Sequence, residues 1–344
     1  MTAQSRSMLQ TLGWQPFFAD QVSPKTQQST PPVRVMEVRR NALYLRGDGI
    51  DDTVPPRADV TVGDWLLLDR DTPAASAVLE RKSLIKRRAP GHDRSVQLIA
   101  ANIDTVFIVT SCNRDFNVAR LERYIALAFD AGITPAILLT KSDLVTDAHT
   151  YVDAAQAISE QVSVIALNAK SEAPRAALAK WCGAGKTVAF LGSSGVGKST
   201  LTNALAGNDS IETQAVRESD ARGRHTTTGR QMHVMPDGCL VLDTPGVREL
   251  QLTDAAAGIS DVFADLQELT TQCRFNDCKH TVEPGCAIQA ALKAGDVDPA
   301  RLARWRKLME EEAFNSTSIA QRKTKDKTLG KTINQIQKQN RKRY

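Results

Sequence analysis

Residues 187–207 read TVAFLGSSGVGKSTLTNALAG: an apolar run, a glycine-rich turn and a helix-forming segment. The turn, Gly192-Ser193-Ser194-Gly195-Val196-Gly197-Lys198-Ser199, fits G-x-x-x-x-G-K-[ST] in full. Its flanks are the strand and helix that this motif requires. Each position has a chemical reason. The glycines let backbone N–H groups close around phosphate oxygens, and the helix N-terminus adds its positive dipole. Lys198 reaches the β- and γ-phosphates, and the Ser199 hydroxyl ligates Mg2+. Thr200, next along the helix, is counted with the nucleotide-binding residues. The stretch predicts an α/β domain that binds a nucleoside polyphosphate.

Working outward, apolar segments at 104–110, 134–140, 162–167 and 239–242 join 187–191 as expected buried parallel strands. Between the first two, Val118, Leu121, Ile125 and Phe129 recur at helical spacing. This alternation predicts a doubly wound α/β core. Three of its strands end in chemistry. Asp243-Thr-Pro-Gly246 begins 44 residues after Ser199; Asp243 suits Mg2+ and the Gly246 N–H a γ-phosphate. Thr140-Lys141-Ser142-Asp143 ends the strand TPAILLT. A carboxylate there accepts from guanine N1–H and the exocyclic amine, a donor pair that adenine lacks. The Lys141 stem can lie along the base plane. Asn168-Ala169-Lys170 follows the next strand and can close over the base through its backbone.

These elements resemble the motifs of a GTPase in a changed order. In Ras-like GTPases the phosphate loop comes first; here TKSD and NAK precede GSSGVGKS, which leads to DTPG. That order marks circularly permuted GTPases, and a closed site tolerates it because chain termini usually lie close together on the surface. Arg222-Gly-Arg-His-Thr-Thr-Thr228 lies where switch I belongs. Beyond the core, Cys273, Cys278, His280 and Cys286 form a four-ligand set suited to tetrahedral structural zinc.

Ahead of the core, VRVMEV, ALYLR, ADVTVGDWLLL and SAVLER are short β-rich runs split by turn residues. They predict a small barrel of OB type. A barrel, a permuted GTPase core and a zinc knuckle in this order resemble the RsgA (YjeQ-like) family of bacterial GTPases over about residues 33–315. The resemblance implies GTP hydrolysis stimulated by the small ribosomal subunit late in its maturation, with rRNA as partner. It places the phosphate loop on Gly192–Ser199, the base motif on Thr140–Asp143 and zinc on the Cys/His set. The expected organisation is a flexible leader at 1–32, an OB-like barrel at 33–100, the permuted GTPase domain at 101–254, a helical zinc-binding domain at 255–320 and a basic tail at 321–344.

Two departures from the general GTPase pattern stand out. Thr140 replaces the usual Asn, which weakens supporting hydrogen bonds more than base selectivity, and Val247 stands where a water-positioning Gln is usual. His225 is then the nearest polar candidate to orient the attacking water, and one of Thr226, Thr227 and Thr228 binds Mg2+ in the GTP state.

The 344 residues are 42% hydrophobic and 24% charged, which excludes wholesale disorder. No apolar run reaches the ~18 residues of a membrane span, and Met1–Asp20 has no apolar signal core. A cytoplasmic monomer is expected. The net charge is +5, yet Gln321–Tyr344 holds nine basic residues and one acidic, leaving −3 on the rest. Arg81, Lys82, Lys86, Arg87, Arg88 and Arg94 make a second basic stretch. Both suggest a polyanionic partner. Trp14, Phe17 and Phe18 either touch a partner or pack locally. Two rival readings are an ATPase, opposed by TKSD and the motif order, and an RNA-binding protein with little hydrolysis.

Overall fold

The computed structural model describes residues 7–88, 96–171, 173–207, 230–243 and 255–316. Three short helices open the chain: α1 (Met8–Thr11), α2 (Pro16–Ala19) and α3 (Pro24–Ser29). This differs from the flexible leader expected over 1–32. Ser7 and Ser23 cap α1 and α3, and Leu12 and Phe18 are fully buried. Trp14 and Phe18 pack on Trp65, with ring centroids 4.8 and 5.9 Å away, so these aromatic residues do pack locally.

The β-rich region supplies β1 (Pro32–Val38), β2 (Leu43–Gly47), β3 (Ile50–Val54), β4 (Trp65–Leu67) and β5 (Ala77–Val78). They pair in the order β3-β2-β1-β4-β5 around Val33, Val35, Leu43, Leu45, Leu66 and Leu68. Among the described residues no β3–β5 pairing closes this sheet. β6 (Leu84–Arg88) and β7 (Val96–Ala101) form a separate hairpin rather than two further barrel strands.

The α/β core follows with β8 (Thr105–Ser111), α4 (Val118–Asp130), β9 (Thr134–Thr140), α5 (His149–Gln156), β10 (Ser163–Ala166), α6 (Ala173–Leu178), β11 (Thr187–Leu191), α7 (Lys198–Ala206), β12 (Arg230–Val234) and β13 (Leu240–Asp243). β10, β9, β8, β11 and β13 are parallel neighbours in that order. Every residue of β8 is buried, as expected of a strand covered on both faces. The chain runs outward from β8 to β10 and then returns to β11 on the other side of β8. This reversal puts the crevice at the carboxyl ends of β8 and β11, where open α/β sheets bind ligands.

Strand β12 has no counterpart among the sequence expectations. It runs antiparallel to β13 on one side and to β1 on the other, pairing Val38 with Arg230 and Glu37 with Gln231. The expected barrel and GTPase domain therefore share one 11-stranded sheet. The C-terminal region is helical, as expected: α8 (Ala256–Val262), α9 (Ala264–Thr271), α10 (Ala287–Ala294) and α11 (Pro299–Ser316). Helix α8 lies against α4 so closely that a β-carbon on Gly258 would sit 2.0 Å from the Ala126 carbonyl oxygen. Only glycine permits that approach.

Candidate nucleotide and metal sites

The phosphate-loop motif bridges β11 and α7, as its flanks predicted. Gly192 has φ 144°, and a β-carbon there would meet the Val109 carbonyl oxygen at 2.1 Å. Any other residue would push the loop off β8. Ser194, Gly195 and Ser199 are exposed, Ser193, Gly197, Lys198 and Thr200 half-buried, and Val196 is packed in the core under the loop. Lys198 Nζ donates to the carbonyls of Gly192, at 2.8 Å, and Ser193. Its ammonium is thus held inside the loop it follows.

The base motif lies beside it. Ser111 of β8 pairs with Thr140 of β9, which sets TKSD at the same edge of the sheet as Gly192. Thr140 is fully buried, and its hydroxyl lies 2.6 Å from the Val196 carbonyl oxygen and 3.2 Å from that of Thr110. The threonine therefore keeps a short direct tie from the base motif to the phosphate loop. Lys141 adopts φ 58°, turning the chain so that Ser142 and Asp143 enter a 3-10 turn. Lys141 and Ser142 are half-buried and Asp143 is exposed. Ala169 is buried and would meet a β-carbon on Gly197 at 3.7 Å, as would Thr140. Asn168 accepts from the Lys170 N–H at 2.9 Å, forming the turn, with Lys170 exposed. Motifs 28 and 56 residues away in sequence, at 168 and 140 against 196, thus meet around one loop.

Asp243 ends β13 opposite Gln231, in the parallel neighbour of β11. Gly246, Val247, His225 and Thr226–Thr228 lie outside the described residues.

The second cluster sits between α9 and α10. The ligand atoms of Cys273, Cys278, His280 and Cys286 all lie within 4.8 Å of one another. His280 Nδ1 is 3.5 Å from Cys273 Sγ and 3.6 Å from Cys286 Sγ, and those two sulfurs are 3.9 Å apart. Tetrahedral zinc with ordinary bond lengths spaces sulfurs by about 3.8 Å and sulfur from nitrogen by about 3.6 Å. The donor set and its spacing fit that ion. Outer contacts fix the donors: His280, at φ 59°, presents its carbonyl to Gln289 Nε2 at 2.6 Å and to the Arg306 guanidinium. Gln289 N donates to Cys286 Sγ at 3.5 Å, so this sulfur also caps α10.

Sequence reasoning missed Glu283. Its carboxylate accepts from the N–H groups of Lys279, Thr281 and Val282 at 2.9, 2.8 and 3.1 Å, holding the loop between Cys278 and Cys286. The backbone N–H of Glu283 itself, followed by these bonds, pulls its pKa down to about 2. An acidic residue three positions beyond the histidine of the Cys/His cluster was the available signal. Buried Glu122 of α4 was missed too. It receives Arg304 Nε at 2.8 Å and lies 3.8 Å from Arg301, tying α11 to the core.

A family model described as RsgA GTPase matches residues 78–253. Small ribosomal subunit biogenesis GTPase RsgA of Mesorhizobium japonicum is 50% identical over 324 residues, covering 92% of this chain and 93% of that protein. Small ribosomal subunit biogenesis GTPase RsgA 2 of Vibrio vulnificus is 43% identical over 343 residues, covering 98% and 97%. Among solved structures, YjeQ from Thermotoga maritima has a TM-score of 0.60 at 22% identity, covering 81% of this chain and 97% of that one. YloQ, a circularly permuted GTPase, has 0.55 at 22%, covering 86% and 100%. Those two likenesses show the permuted α/β fold, and with the family model and the extent of identity this chain belongs to the RsgA GTPase family.

Proposed function

We propose that this GTPase binds the small ribosomal subunit and hydrolyses GTP to GDP and phosphate in a subunit-stimulated manner during late subunit maturation. The observation that carries this reading is identity of 43–50% over at least nine-tenths of the chain to two proteins named for small-subunit biogenesis. The meeting of TKSD, NAK and the phosphate loop around one crevice supports guanine as the base.

In this reading Asp143 accepts from guanine N1–H and its amine, Lys141 lies along the base, and the turn at 168–170 closes over it. Backbone N–H groups of 192–199 surround the phosphates, and Lys198 leaves its two carbonyls to reach the β- and γ-phosphates. Mg2+, when bound, neutralises charge developing on the phosphate oxygens, with Ser199, Asp243 and one of Thr226–Thr228 as its protein ligands. Gly246 N–H contacts the γ-phosphate, and His225 orients the attacking water in place of the missing Gln. Cys273, Cys278, His280 and Cys286 hold one structural zinc.

The proposed organisation keeps an OB-like β-domain over 33–100, open in its pairing, a permuted core over 101–254, a zinc-binding helical domain over 255–320 and a basic tail over 321–344. The hairpin stretch 81–94 and the tail then supply rRNA phosphate contacts. No helix among the described residues is long and apolar enough to cross a membrane. A cytoplasmic monomer is the expected working form.

The test is phosphate release from GTP and from ATP, with purified small and large subunits side by side. Slow GTP turnover alone and strong acceleration by small subunits only are expected, with Lys198→Ala and Ser199→Ala inactive. Equal rates with either subunit, or ATP turnover to match, would refute the reading.

A further inference from the structure

The β6–β7 hairpin sets Arg87 opposite Gln97 and Lys86 opposite Leu98. Arg87 Nε donates to Gln97 Oε1 at 2.9 Å. Arg230, the first residue of β12, reaches the same hairpin from the α/β core: its Nη1 donates to the Leu98 carbonyl at 2.6 Å across 132 positions of sequence. Both arginines are half-buried, and neither has an ion pair among the described residues. The two side chains thus reach consecutive residues of β7, Gln97 and Leu98, and burial, with the charge of Arg87 adding to it, lowers the pKa of Arg230.

Such a pair is costly left alone. Partly buried like charges are poorly screened, and each arginine carries five N–H donors in a planar fork, of which the structure engages few. An anion between them removes the repulsion and takes up the idle donors. Guanidinium forks match phosphate oxygens two at a time. The surrounding strand, Leu84-Ile-Lys-Arg-Arg88, is basic and apolar, which favours a phosphate on a long polyanion over a lone acidic side chain.

We propose that Arg87 and Arg230 together hold one phosphate of an RNA backbone beside the turn-side half of the hairpin, and that Arg230 carries this contact onto β12. This rests on the RNA-docking reading above and names a specific point of it. Strand β12 is placed to use the contact. It begins directly after the segment containing RGRHTTT, and it pairs through Gln231 with Asp243, the first residue of DTPG. On its other side it is paired to β1. RNA bound at Arg230 therefore biases a strand that joins both nucleotide-sensing motifs to the N-terminal β-domain, and Arg230 transmits the RNA contact without taking part in unstimulated hydrolysis.

The experiment compares the full chain with Arg87→Gln, Arg230→Gln, their double variant and Arg230→Lys. Small-subunit affinity is measured from about 50 to 200 mM salt, with isolated small-subunit rRNA as a second probe. Each single Gln variant should bind ~5–10-fold more weakly, and the double should lose less than the product, because one phosphate is shared. The double should lower the log–log salt slope by about 0.7–0.9, the count for one phosphate. Arg230→Lys should keep most of the slope. At saturating subunit, Arg230→Gln should lose most of the stimulated turnover, with guanine-nucleotide affinity and unstimulated turnover unchanged. Unchanged slopes, or a double variant losing about twice the single-phosphate slope, would overturn the proposal. Wild-type protein that ignores the small subunit would instead overturn the functional reading, and the rRNA titration would still test the pair.

Discussion

Thr140→Val removes one hydroxyl from a fully buried position and keeps the shape of the side chain. That hydroxyl makes a 2.6 Å bond to the Val196 carbonyl, with the Thr110 carbonyl 3.2 Å away. A buried hydrogen bond contributes about 1 kcal/mol net, and leaving an acceptor without its donor raises the loss to about 1–3 kcal/mol. The added methyl recovers up to ~0.8 kcal/mol if it packs. A net loss of about 1–2 kcal/mol falls on the relative placement of two loops that, in the proposed function, hold opposite ends of the nucleotide. Fewer molecules then hold both loops in place, and Kd rises by the inverse of that fraction. At ~1.4 kcal/mol per tenfold, GDP and GTP should bind more weakly by up to about 5–30-fold. Titration with a fluorescent guanine nucleotide measures this, and Thr140→Ser, which keeps the donor, should stay within about twofold of wild type. Wild-type affinity in Thr140→Val, or equal damage from Ser and Val, would refute the tie.

Asp143→Asn replaces an acceptor by a donor, so GTP binding should weaken and XTP binding improve relative to it; competition binding with the two nucleotides reads this directly. Metal analysis should return about one zinc per chain, and Cys278→Ser should lower the melting temperature of the C-terminal region while guanine-nucleotide affinity stays near wild type. Glu122→Ala leaves Arg304 and Arg301 without their buried carboxylate, and chemical denaturation should show a loss of about 3–5 kcal/mol. The Glu283 carboxyl, held down to about 2 by backbone N–H groups, stabilises its loop above the ordinary carboxylate range, and that contribution disappears as pH falls through the folded value. Glu283→Gln should therefore release metal to a chelator faster at neutral pH and narrow the difference from wild type in acid.

The grouping of TKSD and NAK around the phosphate loop, and of the three cysteines with His280, was legible because such motifs fix residue types at fixed spacing. The buried strands at 105–111 and 134–140 were legible because both faces are apolar. Other features left no such trace. The leader is rich in Gln, Ser and Thr, and two apolar anchors, Leu12 and Phe18, decide its fold against Trp65 and the core. RQMHV at 230–234 carries no strand pattern of its own; backbone pairing with β1 and β13 makes it one. Sequence composition changes near residue 101, which suggests a boundary, but a sheet continued across that boundary is written in backbone hydrogen bonds rather than in side chains.

Arg34 shows why the boundary does not behave as a linker. Within VRVMEV it has the pattern of a solvent-facing charge, yet it is 1% exposed. Its guanidinium donates to the Leu12 carbonyl in the leader, to Gly63 at 3.4 Å in the β-domain, to Asn102 at 3.1 Å at the boundary, and to Thr187 Oγ1 at 2.9 Å in β11. Burial lowers its pKa to about 10, opposed by Asp104 and Asp64, so it stays charged. A cation buried this deeply is held only if every segment that feeds it an acceptor stays in place, since an uncompensated buried charge is costly. Glu122 does the same with opposite sign where α11 meets α4. The permuted core is thus gripped on its N-terminal side by one buried arginine and on its C-terminal side by one buried carboxylate. A force applied to either flanking region reaches the core through these contacts, which is the mechanical condition that the proposed subunit-stimulated hydrolysis requires.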